Sequence, residues 1–149
     1  TQAGEQRHKG FELGAQGAIN DKLFIMSSLI NIDAEYERDA LYQGNTPVDV
    51  PEWSAALWSR YELTDKLAFN AGAFYEGERF ADNKNTIKKD SYTRIDVGAT
   101  YQMDIKEHEL HLRFNINNLL DKKYLIGGGT TSVTAADGIS FRLAAQLAF

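Results

Sequence analysis

Four stretches of the chain alternate apolar and polar residues with a period of two, and no stretch carries a convincing helical repeat. In 53–63 the odd positions hold Trp53, Ala55, Leu57, Ser59, Tyr61 and Leu63, against Ser54, Ala56, Trp58, Arg60 and Glu62. In 93–102 Thr93, Ile95, Val97, Ala99 and Tyr101 face Arg94, Asp96, Gly98, Thr100 and Gln102. In 109–117 Leu110, Leu112, Phe114 and Ile116 alternate with Glu109, His111, Arg113, Asn115 and Asn117. The last stretch sets Ile139, Phe141, Leu143, Ala145, Leu147 and Phe149 against Ser140, Arg142, Ala144, Gln146 and Ala148. Successive side chains of a strand point to opposite faces, so each stretch is a strand with one apolar and one polar face.

Three weaker stretches complete the set. Phe11, Leu13 and Ala15 alternate with Glu12, Gly14 and Gln16, and Leu67, Phe69, Ala71, Ala73 and Tyr75 with Ala68, Asn70, Gly72, Phe74 and Glu76. Phe24, Met26, Ile30 and Ile32 share a face with Ala34 and Tyr36. The apolar run 23–32 reads as a strand because it is short and flanked by turn residues. The expected fold is all-β, an antiparallel meander of about seven strands. Phe11, Met26, Ile30, Leu57, Ile95, Val97, Leu112, Phe114, Leu143 and Leu147 are expected to form one continuous apolar face.

The connections are sorted by length. Short turns fall near Asn20-Asp21, Thr64-Asp65-Lys66 and Asp104-Ile105-Lys106, and long polar loops near 38–50, 80–91 and 121–137. Long loops on one rim and short turns on the other is the layout of an outer-membrane barrel, whose strands run about ten residues. A soluble sandwich has no reason to sort its loops this way.

Composition narrows the function classes. At 149 residues the chain is one domain, and 43% hydrophobic with 25% charged residues excludes disorder. A net charge of −5 gives no basic surface for nucleic acid. With no cysteine there is no disulfide, thiolate metal site or cysteine nucleophile. No run of 18 apolar residues marks a membrane helix. The mean hydropathy of −0.41 is nonetheless compatible with a membrane barrel, whose alternating strands average out polar. The chain opens Thr1-Gln2-Ala3-Gly4-Glu5 without a signal-peptide pattern, as a mature protein or a fragment does.

Several motifs, in order, resemble the C-terminal part of TonB-dependent outer-membrane receptors of the siderophore, ferrichrome-like type. They are Gly10-Phe11-Glu12-Leu13, then Asn45-Thr46-Pro47-Val48-Asp49-Val50-Pro51 before Trp53, then Tyr75 to Asn83 followed by Tyr92-Thr93-Arg94-Ile95-Asp96. The most specific is Asn115-Ile116-Asn117-Asn118-Leu119-Leu120-Asp121-Lys122-Lys123-Tyr124, before an aromatic-terminated last strand. The resemblance implies a Gram-negative outer-membrane protein that imports ferric siderophores with energy coupled through TonB. It implies no enzyme activity and no cofactor, iron arriving only as a siderophore chelate. Residues 1–149 are then a partial barrel, excised from a 22-stranded one with a plugged lumen. The plug domain and its TonB contact are absent, so the fragment alone is expected to be inactive in transport. Its uncovered apolar face and strand edges predict a homo-oligomer in isolation.

The resemblance also assigns candidate residues. Phe141, Leu143, Leu147 and Phe149 are similar to the terminal signal read by the barrel assembly machinery. Tyr42, Arg79, Phe80 and Tyr124 are ligand-loop candidates, because aromatic and Arg side chains at that rim touch the iron chelate in such receptors. Trp53, Tyr61, Tyr75, Tyr92 and Tyr101 fit girdles where lipid meets water. Arg60, Glu62, Asn70, Glu76, Glu78, Arg94, Asp96, Arg113, Asn115, Arg142 and Gln146 are expected to line the lumen.

Competing readings are weaker. Glu76, Glu78 and Asp96 suggest carboxylate catalysis, but polar lining of a lumen accounts for them. His108 and His111 lie three apart and face opposite sides of a strand, which is wrong for one metal ion. Gly127-Gly128-Gly129-Thr130-Thr131 lacks the Lys and following helix of a phosphate loop. A lipocalin-like barrel for an apolar ligand requires an eighth strand and an apolar interior. An outer-membrane hydrolase would need a serine beside His111 and Asn115, and none is placed there.

Overall fold

The structure is a computed structural model that describes residues 4–129 and 132–148. In chain order the strands are β1 (Glu5–Asn20), β2 (Leu23–Arg38), β3 (Trp53–Thr64), β4 (Leu67–Glu76), β5 (Arg79–Phe80), β6 (Lys88–Lys89), β7 (Tyr92–Ile105), β8 (His108–Asn117), β9 (Leu125–Gly129), β10 (Ser132–Ala135) and β11 (Ser140–Ala148). Seven of them form one sheet in the order β1-β2-β3-β4-β7-β8-β11. Every neighbouring pair is antiparallel. The meander read from the alternation is therefore the observed fold. The ribbons β5–β6 and β9–β10 are additional, and lie inside two of the long loops.

Local chemistry makes the short turns. The Asn20 carboxamide oxygen accepts from the backbone N–H of Lys22 and Leu23, both at 2.9 Å, which closes the first hairpin. Thr64 does the same for Leu67 at 3.0 Å. Lys106 turns the third hairpin with φ of 57°. Side-chain acceptors that mimic a backbone turn are what Asn and Thr supply here. Gly10 serves a different need. A Cβ there would overlap the Asn31 carbonyl oxygen and lie 2.9 Å from its carbon, so only glycine lets β1 close on β2.

Register fixes the two faces. Leu13 pairs with Leu29, which pairs with Ala55, then Tyr75 and Thr93. Along the same face run Leu57, Ala73, Ile95, then Phe69, Ala99, Phe114 and Leu143. These side chains are open: Leu57 is 50% exposed and Leu143 74%. Among the described residues the buried hydrophobic side chains are all alanines, Ala34, Ala68 and Ala81. The sheet has no core of its own on either side.

Aromatic rings edge the apolar face. Phe11 meets Trp53 edge-on at 5.7 Å near the long-loop rim, with Tyr75 on the same face. Tyr61, Phe69 and Tyr101 mark the short-turn side. Trp53 and Tyr61 are eight positions apart on β3. That is roughly 26 Å along the strand, close to the height of an apolar membrane band. Beyond Phe11 the same face turns charged, with Lys9 opposite Asp33 and Arg7 paired to Glu35.

Three expectations need correcting. Met26 pairs with Gln16 and Trp58, and Ile30 with Glu12 and Ser54, so both lie on the opposite face from Leu57. In β2 the outward residues are Ile25, Ser27, Leu29 and Asn31. Tyr92 also faces away from the apolar side, opposite Glu76. The expected polar-face residues otherwise share one face, except Glu78, which sits in a loop and pairs with Lys88 at 3.2 Å.

This register makes a contrast measurable. In a barrel carrying this sheet and refolded into lipid vesicles, Leu57→Arg should cost about 2–4 kcal/mol of stability. Met26→Arg should cost far less, because its side chain lies on the opposite face of the sheet from Leu57. Urea titrations of the two variants check the assignment; equal losses would reverse it.

Candidate functional site

The long-loop rim is where polar and aromatic side chains converge. Three loops (residues 39–52, 77–91 and 118–139) leave the strands there. The first two are sewn together by amides. Tyr36 donates its hydroxyl to Asn83 at 2.9 Å, and Asn45 donates to the Asn83 carbonyl at 2.8 Å. Thr46 and Asn85 exchange two hydrogen bonds at 2.7 and 2.8 Å.

Buried cations draw in the third loop. The Lys89 side chain is 1% exposed and that of Arg79 3%. Asp49, held at φ of 61°, offers one carboxylate oxygen to both: Lys89 Nζ contacts it, and Arg79 Nε lies 3.3 Å away. The same cations then reach the third loop. Arg79 donates to the Leu125 carbonyl at 2.7 Å, and Lys89 to the Gly127 carbonyl at 2.6 Å. Burial pushes the Lys89 ammonium below its usual pKa. Two desolvated cations on one carboxylate and two carbonyls form a latch across all three loops.

Aromatic packing links this latch to the sheet. Tyr92 and Tyr124 stack at 3.8 Å, and the Arg79 guanidinium lies 5.4 Å from the Tyr92 ring. Tyr92 donates its hydroxyl to Glu76, which is also 3.5 Å from Arg79 Nη1. Below them Asp96 accepts from the Asn118 N–H at 2.8 Å and pairs with Arg94 at 3.0 Å. The Asn118 carboxamide in turn bonds Lys122 and the Asp137 carbonyl, which orders both ends of the third loop. Asp121 caps Ile139 at 3.0 Å, and its carboxyl pKa is lowered by Lys123 and by that N–H.

Of the four ligand-loop candidates, the structure brings Arg79 and Tyr124 together through Tyr92. Phe80 and Tyr42 stand apart from that stack. Phe80 lies beneath the Lys88 ammonium at 5.6 Å, and Tyr42 packs against Tyr36 at 6.0 Å. Arg79 turns Nε and Nη2 into the latch, while Nη1 is buried without a hydrogen-bond partner, 3.5 Å from the Glu76 carboxylate. Phe141, Leu143 and Leu147 line the apolar face of β11, while Phe149 lies outside the described residues. His108 and His111 fall on opposite faces. Gly127 belongs to β9 and offers its carbonyl to Lys89, so this glycine serves the latch.

Sequence reasoning missed Asp49, Lys89 and Tyr92 as site residues. Tyr92 was findable: it occupies the even set of its strand with Arg94 and Asp96. The burial of Lys89 had no local signal, because its partners lie 38 and 40 positions away.

Comparison with known proteins places this geometry. The model of the TonB-dependent receptor-like β-barrel family matches residues 1–119. The ferrichrome outer membrane transporter/phage receptor of Escherichia coli is 33% identical over 84% of this chain and 17% of its own length. The ferrioxamine receptor of Yersinia enterocolitica is 35% identical over 87% of this chain and 19% of its own. The crystal structure of the siderophore receptor PiuA from Acinetobacter baumannii superposes with a TM-score of 0.83 at 34% identity, covering 95% of this chain and 22% of that one. The chain thus spans about a fifth of the length of these relatives. The matched relatives are receptors and transporters, not enzymes.

Asp49→Ala should strand Lys89 and Arg79 as buried cations. The expected cost is about 3 kcal/mol, the low end for a buried pair since Asp49 is 29% exposed. Hydrogen exchange at the amides of residues 78–90 should accelerate while β4 and β7 stay protected; unchanged loop exchange would contradict the latch. A second outcome concerns pH. The Ile87 N–H, then Thr86, hold the Asp82 carboxyl below its ordinary pKa. The turn is therefore fully stable above the ordinary carboxylate range, and loosens only as pH falls through the lowered folded value. Amide chemical shifts of Thr86 and Ile87 followed in an acid titration check this.

Proposed function

The chain belongs to the TonB-dependent receptor-like β-barrel family, and from that membership we propose that it forms the C-terminal strands of an outer-membrane importer of ferric siderophores. The observation that carries the reading is the exposed apolar face edged by two aromatic rows, below a rim of three interlocked loops. Such a face suits lipid, and a sheet of this kind must be completed by further strands before it can span a membrane. A small soluble ligand-binding barrel would turn its large apolar residues inward instead.

In this reading the rim faces the outside of a Gram-negative cell and the short turns face the periplasm. The ferric siderophore docks at the rim, and iron arrives already chelated, so the protein supplies no metal ligands. Tyr42, Phe80 and Tyr124 offer rings to the chelate, while Arg79 holds the loops that present them. TonB supplies energy through the plug, which lies outside these 149 residues. The barrel assembly machinery reads the last strand, with Phe141, Leu143 and Leu147 on its lipid side. Cut from its parent, the piece does not transport, because most of the rim is missing, and it hides its apolar face by self-association.

Growth tests this. In an iron-starved strain lacking the full-length gene, complementation should restore growth on ferrichrome or ferrioxamine, and growth on neither would refute the substrate class. Tyr124→Ala and Phe80→Ala should each weaken siderophore binding by about 1 kcal/mol, roughly fivefold, at unchanged receptor yield. Deleting Phe149 should do the reverse, lowering outer-membrane yield while the inserted receptor binds as before. Equal yields would remove the assembly signal.

A further inference from the structure

Between the first two loops of the rim lies a cavity of about 170 Å³. Thr46, Val50 and Glu52 wall it from the first loop, and Glu78, Phe80 and Lys88 from the second. Two main-chain bonds hold these walls in place. The Asp49 N–H donates to the Phe80 carbonyl at 3.0 Å, and the Gly77 N–H to the Trp53 carbonyl at 2.8 Å, one step beyond the end of β4. Lys88 shows what the cavity accepts. Its ammonium lies 3.2 Å from the Glu78 carboxylate and 5.6 Å from the centre of the Phe80 ring.

The charges of the lining do not balance. Arg79 borders the cavity too, but together with Lys89 it is matched by Asp49 and Glu76 within the latch. Two carboxylates, Glu52 and Glu78, then face one ammonium, that of Lys88. Among the described residues no cation pairs with Glu52. The Lys88–Glu78 pair is itself loosely held, since its side chains are 60% and 61% exposed and open ion pairs of this kind are worth little. A second cation can therefore enter beside Lys88, or replace it, at small cost.

The lining also selects the kind of cation. A calcium ion asks for at least about six oxygens, and among the described residues no three acidic or imidazole side chains gather as a metal site. Val50 and the Phe80 ring instead set an apolar wall beside the carboxylates, which suits a charged head on a hydrocarbon stem. A void of this size takes a group about as large as a benzene ring, enough for a short alkyl chain.

We propose that this cavity is an ammonium subsite, in which Glu52, Glu78 and the Phe80 ring take the primary amine of an alkylamine tail carried by the ferric chelate. The proposal rests on the receptor reading above and narrows its substrate class: this rim favours ferric siderophores with a free amine over neutral ones. Lys88 is the resident cation of the site before the ligand arrives, and yields its place over Phe80 to the tail.

Two experiments on the full-length receptor in detergent test the site and its use separately. The first uses Lys88→Ala and n-butylammonium chloride, without any siderophore. The amine should slow hydrogen exchange at the amides of residues 78–88 at least twofold, while n-butanol or sodium chloride at the same concentration should not. No slowing by the amine, or equal slowing by sodium, would overturn the subsite. The second compares a linear ferric trihydroxamate ending in a primary amine with the same chelate N-acetylated, by calorimetric titration. The amine form should bind about fivefold more tightly, and Glu52→Gln with Glu78→Gln should bring the two affinities together. Equal affinities in the unmutated receptor, or a preference that survives both substitutions, would overturn the proposal. Binding of neither chelate, with the butylammonium effect present, would uphold the subsite and refute the substrate class proposed above instead.

Discussion

The structure depends on the antiparallel ladder. A sheet whose buried hydrophobic residues are alanines, among those described, cannot be held by a packed core. It is held by main-chain pairing that runs unbroken from β1 to β11. In lipid that pairing is compulsory, since an unpaired N–H or C=O in hydrocarbon costs several kcal/mol. The consequence reaches every other feature. Gly10 is needed because the ladder between β1 and β2 closes tightly there, and the Asn20 and Thr64 turns are needed because each hairpin must start in register. Among the described residues the outer edges of β1 and β11 in this sheet remain open, and each offers unpaired N–H and C=O groups to a further strand.

Above the ladder the rim obeys different physics. The most deeply buried side chain in the described chain is a lysine, and its burial makes sense only as part of a three-loop latch. Asp49 compensates two cations at once, while carbonyls of the third loop accept from Arg79 Nη2 and Lys89 Nζ. Because Glu76 and Tyr92 are strand residues that also touch this group, the loops inherit the rigidity of the sheet. A rim built this way presents its outer side chains in a preorganised arrangement, which lowers the ordering cost of binding a ligand.

The two faces of the sheet are not simple opposites. One face is apolar and edged by aromatics, but the other changes character across its width, from Phe24, Met26 and Trp58 to Asn115 and Arg142.

Strand identity and meander topology were legible in the chain itself, because a period of two admits one local conformation and short turns force neighbouring strands to pair. Leu57, Ile95, Leu112 and Leu143 showed their face unaided. The β2 stretch did not. It carries apolar residues at both parities, Ile25 and Leu29 on one face and Met26 and Ile30 on the other. Alternation alone cannot say which set meets lipid, and a shift of one residue exchanges the faces. Pairing with β1 and β3 decided it. The latch was illegible for a related reason: Arg79 and Lys89 look like solvated loop charges until Asp49, 30 and 40 positions away, and the carbonyls of Leu125 and Gly127 close around them. Local sequence determines what a strand can be, while burial of a charge depends on partners that only the folded chain brings within reach.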